Sequence, residues 1–540
     1  MSKPQSLPLN GSSCLRFLAT VLPLVVLVLV GILSLTQTKV AGDFGIASDQ
    51  VHYDMAVADT IRNFKAYGVN PRIAASAEQH MLWQVAVAGV GLFVGNITKA
   101  AQIASLLFGL LLVWQSVRVA RLLFPFAPFQ LTAGIAVAGS LFVQTQLVSA
   151  GPGLAAATLL LAGIATYLKG LDAKGETAVL HARSAMFIGL AAMIRPELAF
   201  AWLGLVVHAM LRSFEQKSRF SPVHVVLQAG VGLAIIAIAF WPMVNQNKKA
   251  MDVAWPIEMD ATALHLGSEV ALTPVDRLAS GVYRVLDGLP FTQGLAGIVL
   301  LVIFVLGLLF VVMNLSRRPQ AKNSLALLFA SIGVMVGTFV LGNAFGGTSG
   351  LAVAGLSPVL ILFAVFGFIL FGLGLSKREN GSASSGSILL WGVAPMFIVI
   401  SGVIQTSIQL KEHRKTTAMV NQAQGAWSVW SKDHSNLGQL RIATDRPGWF
   451  GHRTDHSVEL ALGSNASRNA LASLDMDSGK VDMSSFRKAM RLHRPDALVL
   501  FSQGAAEFAS QIERAPIASR RKMVSLEGKN APQVVLFDWR

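Results

Sequence analysis

Between positions 43 and 59 the chain carries Asp43, Asp49, Asp54 and Asp59, with His52 and Tyr53 among them. They follow directly on an apolar run from Leu15 to Leu35. A carboxylate held beside a hydroxyl can take its proton as the oxygen attacks, which is general-base chemistry. Acidic residues in a wet loop also serve only to solvate it. What raises the functional reading is their density where the chain leaves an apolar stretch. Asp49 is the first choice for such a base, Asp54 its main competitor and Asp43 the third. From Val51 onward, Val51, Met55, Ala58, Ile61 and Phe64 recur with helical spacing. That pattern predicts an amphipathic helix lying along a membrane interface.

The second candidate group is Arg195-Pro196-Glu197, inside the apolar stretch 184–211. A charged side chain at mid-bilayer costs ~2.5–3.5 kcal/mol by insertion scales. Arg195 is therefore kept by a partner or by a function. Glu197 is close enough in sequence to be that partner in a structural ion pair. The alternative is a guanidinium that grips a lipid phosphate through its bidentate geometry. Lys248 and Lys249 stand just beyond an apolar run that ends near 243. Phosphate binding and plain solvation explain them equally well. Cys14 is the single cysteine, so neither an intrachain disulfide nor a cysteine-based metal site can form. The sequence holds no Walker A loop, dinucleotide-binding glycine fingerprint or His-Glu-x-x-His. ATP-driven transport and zinc proteolysis are thus set aside as leading ideas.

The elements that must position these residues are helices in a membrane. The 540 residues are 53% hydrophobic and only 14% charged, against about 25% charge in soluble proteins. Clear apolar runs lie near 15–36, 101–117, 129–149, 153–168, 223–243, 293–313, 323–342, 351–375 and 387–408. Runs of about 20 apolar residues read as spanning helices. The net charge of +15 comes largely from short loops between these runs, where the positive-inside rule wants basic residues. No basic face with interleaved aromatics points to nucleic acid.

Charge also sets the expected topology. Arg212, Lys217 and Arg219 lie in one loop, Arg317, Arg318 and Lys322 in a second, and Lys377 and Arg378 in a third. All three are expected to face the cytoplasm. That leaves 37–80, 244–292 and the chain from about 410 on the opposite side. The stretch 184–211 then reads as two short helices, 184–194 and 197–211, broken at Arg195-Pro196. Residues 81–95 read as a re-entrant or broken upper part of the second span, and the total is about eleven crossings. The rival is one long helix through Arg195, which strands two basic loops outside. The division is a membrane module, 1–410, and a soluble module, 411–540. In the latter, Leu440-Thr444, Ala497-Phe501 and Val534-Phe537 read as strands, with helices at Ser484-Leu492 and Gly504-Ile512. The fold class is a mainly α polytopic bundle with a C-terminal α/β domain.

Several of these segments, taken in order, resemble one family. Ser48-Asp49-Gln50-Val51-His52-Tyr53 resembles the Asp-Glu-x-His-Phe stretch after the first helix of protein O-mannosyltransferases, members of the GT-C superfamily of lipid-phosphosugar-dependent glycosyltransferases. Arg62-Asn63-Phe64, Tyr67-Gly68 and Asn70-Pro71 resemble a run in arabinofuranosyltransferase-like members. Glu78-Gln79-His80-Met81-Leu82-Trp83 resembles the segment that opens the second helix. Ser149-Ala150-Gly151-Pro152-Gly153 stands where a short outward loop carries Ser-Gly-x-Glu-Thr. Ala191-Ala192-Met193-Ile194-Arg195-Pro196-Glu197 resembles Gly-Leu-x-x-Leu-x-Arg-Pro-Glu. Gln50 replaces the second acid of many members, and the glutamate of the Ser-Gly-x-Glu-Thr pattern is absent. The donor and any divalent-metal dependence therefore stay open.

The resemblance implies an inverting glycosyltransferase of a bacterial inner membrane, with its C-terminal domain periplasmic. It would move a sugar from a polyprenyl-phosphate donor to a glycan, lipid or protein acceptor. Asp49 would be the base, or Asp54 in its place. Arg195 would meet the leaving phosphate, with Glu197 beside it and Lys248 or Lys249 assisting. Tyr53 and His80 would line the sugar site. Two rivals remain. A transporter or lipid flippase would also keep Arg195 and Glu197 at a broken helix, but no inverted repeat is visible. An O-antigen ligase or polymerase would use basic residues in a late outward loop, which 244–292 partly supplies.

Overall fold

The computed structural model describes residues 13–40, 43–44, 49–65, 67, 80–172, 177–214, 221–251, 278–279, 282–283, 285–286, 288–345, 351–376, 385–433, 439–444, 447–454, 457–461, 490–492, 494–500, 520–524, 526 and 533–538. Among the described residues up to Asp433 the structure is mainly helical. Helix α1 (Ser13–Thr38) is followed by α2 (Asp49–Arg62), α3 (Met81–Val94) and α4 (Ile97–Leu123). A bent pair comes next, α5 (Ala127–Ala138) and α6 (Leu141–Ser149), then α7 (Gly153–Asp172), α8 (Thr177–Ala192) and α9 (Phe200–Ser213). The remaining helices are α10 (Pro222–Met251), α11 (Gly294–Asn314), α12 (Pro319–Phe345), the single turn α13 (Leu351–Ala354), α14 (Ser357–Ser376) and α15 (Ser385–Asp433). Among the described residues, six helices are long and apolar enough to cross a membrane, seven if α5 and α6 count as one span.

Several breaks have local causes. The run 184–211 is interrupted where the sequence reading put the interruption. Helix α8 stops at Ala192, and a 3₁₀ turn (Pro196–Ala199) separates it from α9. Pro196 lacks the N–H that would continue the α8 ladder, and it disfavours helical backbone at Arg195, which is extended at φ −142°. The run 129–149, read as one span, bends by 47° between α5 and α6. At the bend the Ser140 hydroxyl donates to the Val137 carbonyl at 2.8 Å, and the Gln144 amide donates to the Gly139 carbonyl at 2.8 Å. Helix α15 also presses here: a Cβ on Gly402 would sit 2.4 Å from the Gly139 oxygen. Side chains thus satisfy the carbonyls released by the bend, as a buried helix break requires. The run 351–375 is likewise split, with α13 ending at Ala354 and α14 starting at Ser357.

Helices α9 and α12 meet backbone to backbone. A Cβ on Gly204 would lie 2.0 Å from the Phe329 carbonyl oxygen, and one on Gly333 would lie 2.2 Å from that of Phe200. Small residues let helices approach closely in lipid, where packing rather than hydrophobicity drives association. The 3₁₀ turn after Arg195 packs between α8, α9 and α12, so this crossing holds the Arg195 segment in place. Gly204→Val is expected to lower thermal stability in detergent by about 1–3 kcal/mol, the usual cost of overpacking. An unchanged melting temperature would show that the two helices separate without penalty.

Helix α15 runs well past the 410/411 boundary and ends at Asp433. Its last turns bring Trp427 and Trp430 against Trp449, Phe450, Leu440, Ile442 and Val534. The sheet beneath this cluster has β3 (Arg441–Thr444), β4 (Ser457–Ala461), β5 (Ala497–Leu500), β6 (Arg520–Val524) and β7 (Gln533–Asp538), in the order β4-β3-β5-β7-β6. A two-stranded ribbon near the N-terminus supplies β1 (Lys39–Val40) and β2 (Asp43–Phe44). Strand β3 is parallel to β4 and β5, while β7 is antiparallel to β5 and β6. Asp496 ties the start of β5 to β3: it accepts from the Arg441 guanidinium at 2.9 and 3.2 Å and from the Arg441 backbone N–H at 2.9 Å. The helices expected at 484–492 and 504–512 lie outside the described residues, apart from 490–492, which are helical.

Candidate active site

Helix α2 forms where the 3.6-residue pattern predicts it, but it does not lie along an open interface. Every residue from Val51 to Ala58 is buried. One side packs on α3 and α4, and the other is covered by α16 (Pro447–Arg453), a short helix beside the sheet. His52 stands 2.8 Å from His452 of α16, Nδ1 to Nδ1, and Thr98 of α4 lies 3.3 Å from the Nε2 of that residue. Phe64, expected to continue the apolar stripe, falls beyond the helix end at φ 54° and is exposed.

Burying α2 puts Asp54 inside the protein at 1% exposure. Its carboxylate is bonded on both oxygens. Oδ2 lies 2.9 Å from the His80 Nδ1, and Oδ1 accepts from the Gln84 Nε2 at 2.7 Å. The Gln50 Nε2 reaches Oδ1 at 3.5 Å from one turn earlier on α2. The Tyr67 hydroxyl donates to the Gln84 Oε1, which fixes the way that amide faces. His80 and Gln84 sit four residues apart at the start of α3, so both reach the same carboxylate.

His80 is itself held firmly. It precedes α3 in the left-handed region, φ 67°, and its N–H donates to the Ile194 carbonyl at 3.0 Å. A non-glycine residue there costs about 1–3 kcal/mol and persists where the surroundings over-determine it. The bond to Ile194 joins the acidic helix's partner to the residue just before Arg195. Burial lowers the His80 pKa; Asp54 opposes that and Arg195 reinforces it, and the net shift is downward. The imidazole is therefore neutral at pH 7. In the neutral ring the nitrogen that contacts the Asp54 carboxyl group, Nδ1, is the one suited to donate, which leaves the lone pair on Nε2.

His80 and Arg195 line one cleft of about 220 Å³. Gln50 and Val51 of α2 and Phe142, Gln146 and Ser149 of α6 add to its wall, with Gly151-Pro152-Gly153 closing one side. That turn begins with Ala150 in the left-handed region, φ 52°. Gln146 holds it by accepting from the Gly153 N–H at 3.1 Å. The structure thus brings together three segments far apart in sequence: the Asp54–His80 pair of α2 and α3, the 149–153 turn and the Arg195 break. Arg195 is 3% exposed although it lines the cleft.

The other expected site residues fall as follows. Asp49 is the first residue of α2, but its side chain lies outside the described residues. Tyr53 is buried next to Asp54, and Glu197 is buried in the 3₁₀ turn. Lys248 and Lys249 are exposed in the last turn of α10, which continues to Met251 rather than ending near 243. They are not among the residues that line this cleft. Positions 252–277 of the expected outward loop lie outside the described residues. Among the described residues no three His, Cys, Asp or Glu side chains gather as metal ligands. Sequence reading missed Gln84 and Gln146. The available signal was an amide inside an otherwise apolar helix, which needs a partner when buried.

The fold is shared with solved structures of ArnT. The chain matches the solved structure of ArnT from Cupriavidus metallidurans in the apo state with a TM-score of 0.59 at 15% identity, over 97% of this chain and 98% of that one. The structure of the same protein bound to undecaprenyl phosphate matches with a TM-score of 0.55 at 14% identity, over 95% and 97% of the two chains. No protein-family model matches the chain, and no curated protein does so at a significant level.

Proposed function

We propose that this chain is an inverting glycosyltransferase that moves a sugar from a polyprenyl-phosphate donor to an extracytoplasmic hydroxyl. The observation that carries the reading is the single cleft that gathers a buried guanidinium, Arg195, and a histidine backed by a buried carboxylate, His80 on Asp54. Those are the two groups that direct displacement at an anomeric carbon needs. One meets the negative charge that builds on the leaving phosphate, and the other relieves the attacking hydroxyl of its proton. The shared fold supports the reading, since ArnT with that fold has been solved bound to undecaprenyl phosphate. The carboxylates available for the proton's removal are Asp54 and, at the start of the same helix, Asp49. The acceptor would be a glycan, lipid or protein, and the cleft would open to the outer face of a bacterial inner membrane, as the Lys/Arg distribution argues.

The test is transfer itself. Membranes containing the chain are incubated with a panel of polyprenyl-phosphate sugars, both hexose and pentose, and with envelope extracts as acceptors. One donor is expected to give a labelled product and free polyprenyl phosphate in equal amounts. If no donor is consumed while undecaprenyl phosphate crosses the membrane in sealed vesicles, the chain is a lipid transporter instead.

A further inference from the structure

We propose that the atom which takes the acceptor's proton is the Nε2 of His80, and that Asp54 acts behind it as a positioning residue. The inference rests on the glycosyl-transfer reading and refines it. Asp54 is not among the residues that line the cleft, whereas His80 is. Both Asp54 oxygens are occupied, by Gln84 and by His80. The Nε2 of His80 is buried and has no hydrogen-bond partner among the described residues. A buried imidazole nitrogen with an unused lone pair is costly unless something arrives to bond it, and the acceptor hydroxyl supplies that bond.

The step balances as follows. The hydroxyl oxygen forms a bond to the anomeric carbon while its proton passes to Nε2. The bond between that carbon and the phosphate oxygen breaks, and its electron pair stays on the phosphate, which faces Arg195. The imidazolium left behind is met by Asp54 through Nδ1–H. After the product leaves, the proton passes to solvent or to the departing phosphate, and the neutral ring is restored. Desolvation of His80 supports this role by keeping the ring unprotonated and ready at neutral pH.

The experiment is chemical rescue of His80→Ala in the full chain. Undecaprenyl phosphate binding is measured first, so that a folding failure is seen; His80→Gln serves if the alanine variant does not fold. His80→Ala is expected to bind undecaprenyl phosphate as the wild type does and to lose transfer by roughly 10²–10⁴-fold. Added imidazoles are expected to restore transfer, with rates that rise with the pKa of the imidazole. Rescue that ignores imidazole pKa would give His80 a space-filling role. Full activity in both the alanine and glutamine variants, with an active wild type, would overturn the inference and leave the glycosyltransferase reading standing. A wild type that transfers from no polyprenyl-phosphate sugar would overturn both.

Discussion

Arg195→Ala is expected to weaken binding of undecaprenyl phosphate by about 2–5 kcal/mol, the usual cost of truncating one member of a buried charge pair. That is roughly 30-fold or more in Kd. Transfer should fall at least as far, because charge on the phosphate grows as the sugar leaves it. Arg195→Lys should restore only part of either quantity, since an ammonium keeps the charge but loses the fork that matches two phosphate oxygens. The geometry behind this expectation is a guanidinium 3% exposed that still lines the cleft. Glu197 provides the control. It is equally buried, on the 3₁₀ turn that follows Arg195. If the two residues form only a structural ion pair, Glu197→Gln and Arg195→Ala should both lower the melting temperature and leave phosphate affinity and turnover alone. That pattern, measured by direct lipid binding and thermal denaturation, would remove Arg195 from the site.

Much of this arrangement was legible because its signals are local. Proline after Arg195 dictates a break, and the structure breaks there. The apolar period from Val51 dictates a helix, and α2 forms. Which surface that helix meets is a tertiary fact. The pattern cannot distinguish a lipid interface from the covering helix α16, which lies about 400 residues later and brings His452 to His52. The sheet shows the same limit. Strands β3, β5 and β7 are inner strands and read as apolar runs. Strands β4 and β6 are the two edges. Glu459 in β4 and Arg520, Arg521 and Lys522 in β6 interrupt the apolar signal in the sequence. At the site, Arg195 stands out as a charge inside an apolar stretch, and His80 enters only through the family resemblance of its segment. Gln84 and Gln146 do not stand out, because an uncharged amide in a membrane helix becomes informative only once its partner is known. Asp54 was the competitor to Asp49 in sequence. Its bonds to His80 and Gln84 depend on α3 folding back over α2, which no spacing within 43–59 encodes.

Asp54→Asn is expected to lower transfer by roughly 10²–10⁴-fold while leaving the protein folded and undecaprenyl phosphate bound. The substitution keeps the volume of the side chain, and Gln84 can still donate to its Oδ1. The other branch becomes an amide N–H₂ facing the His80 Nδ1. Two donors cannot share that contact, so the imidazole proton is driven to Nε2, and the lone pair needed in the cleft is gone. An analogous tautomer fault behind a catalytic histidine costs about 10⁴ in a serine protease. Asp49→Asn is the essential second arm, since Asp49 begins the same helix one residue before the cleft-lining Gln50. Loss in Asp54→Asn with retention in Asp49→Asn would fix the histidine–carboxylate pair as the basic centre. Retention in Asp54→Asn with loss in Asp49→Asn would move the proton acceptor to the start of α2 and make the His80 contact structural. Full transfer in both variants would reduce the acidic segment to solvation and require the proton to leave by another route. Initial rates at saturating donor, read beside the Kd for undecaprenyl phosphate, separate these outcomes because only the chemical step should respond to the tautomer of His80.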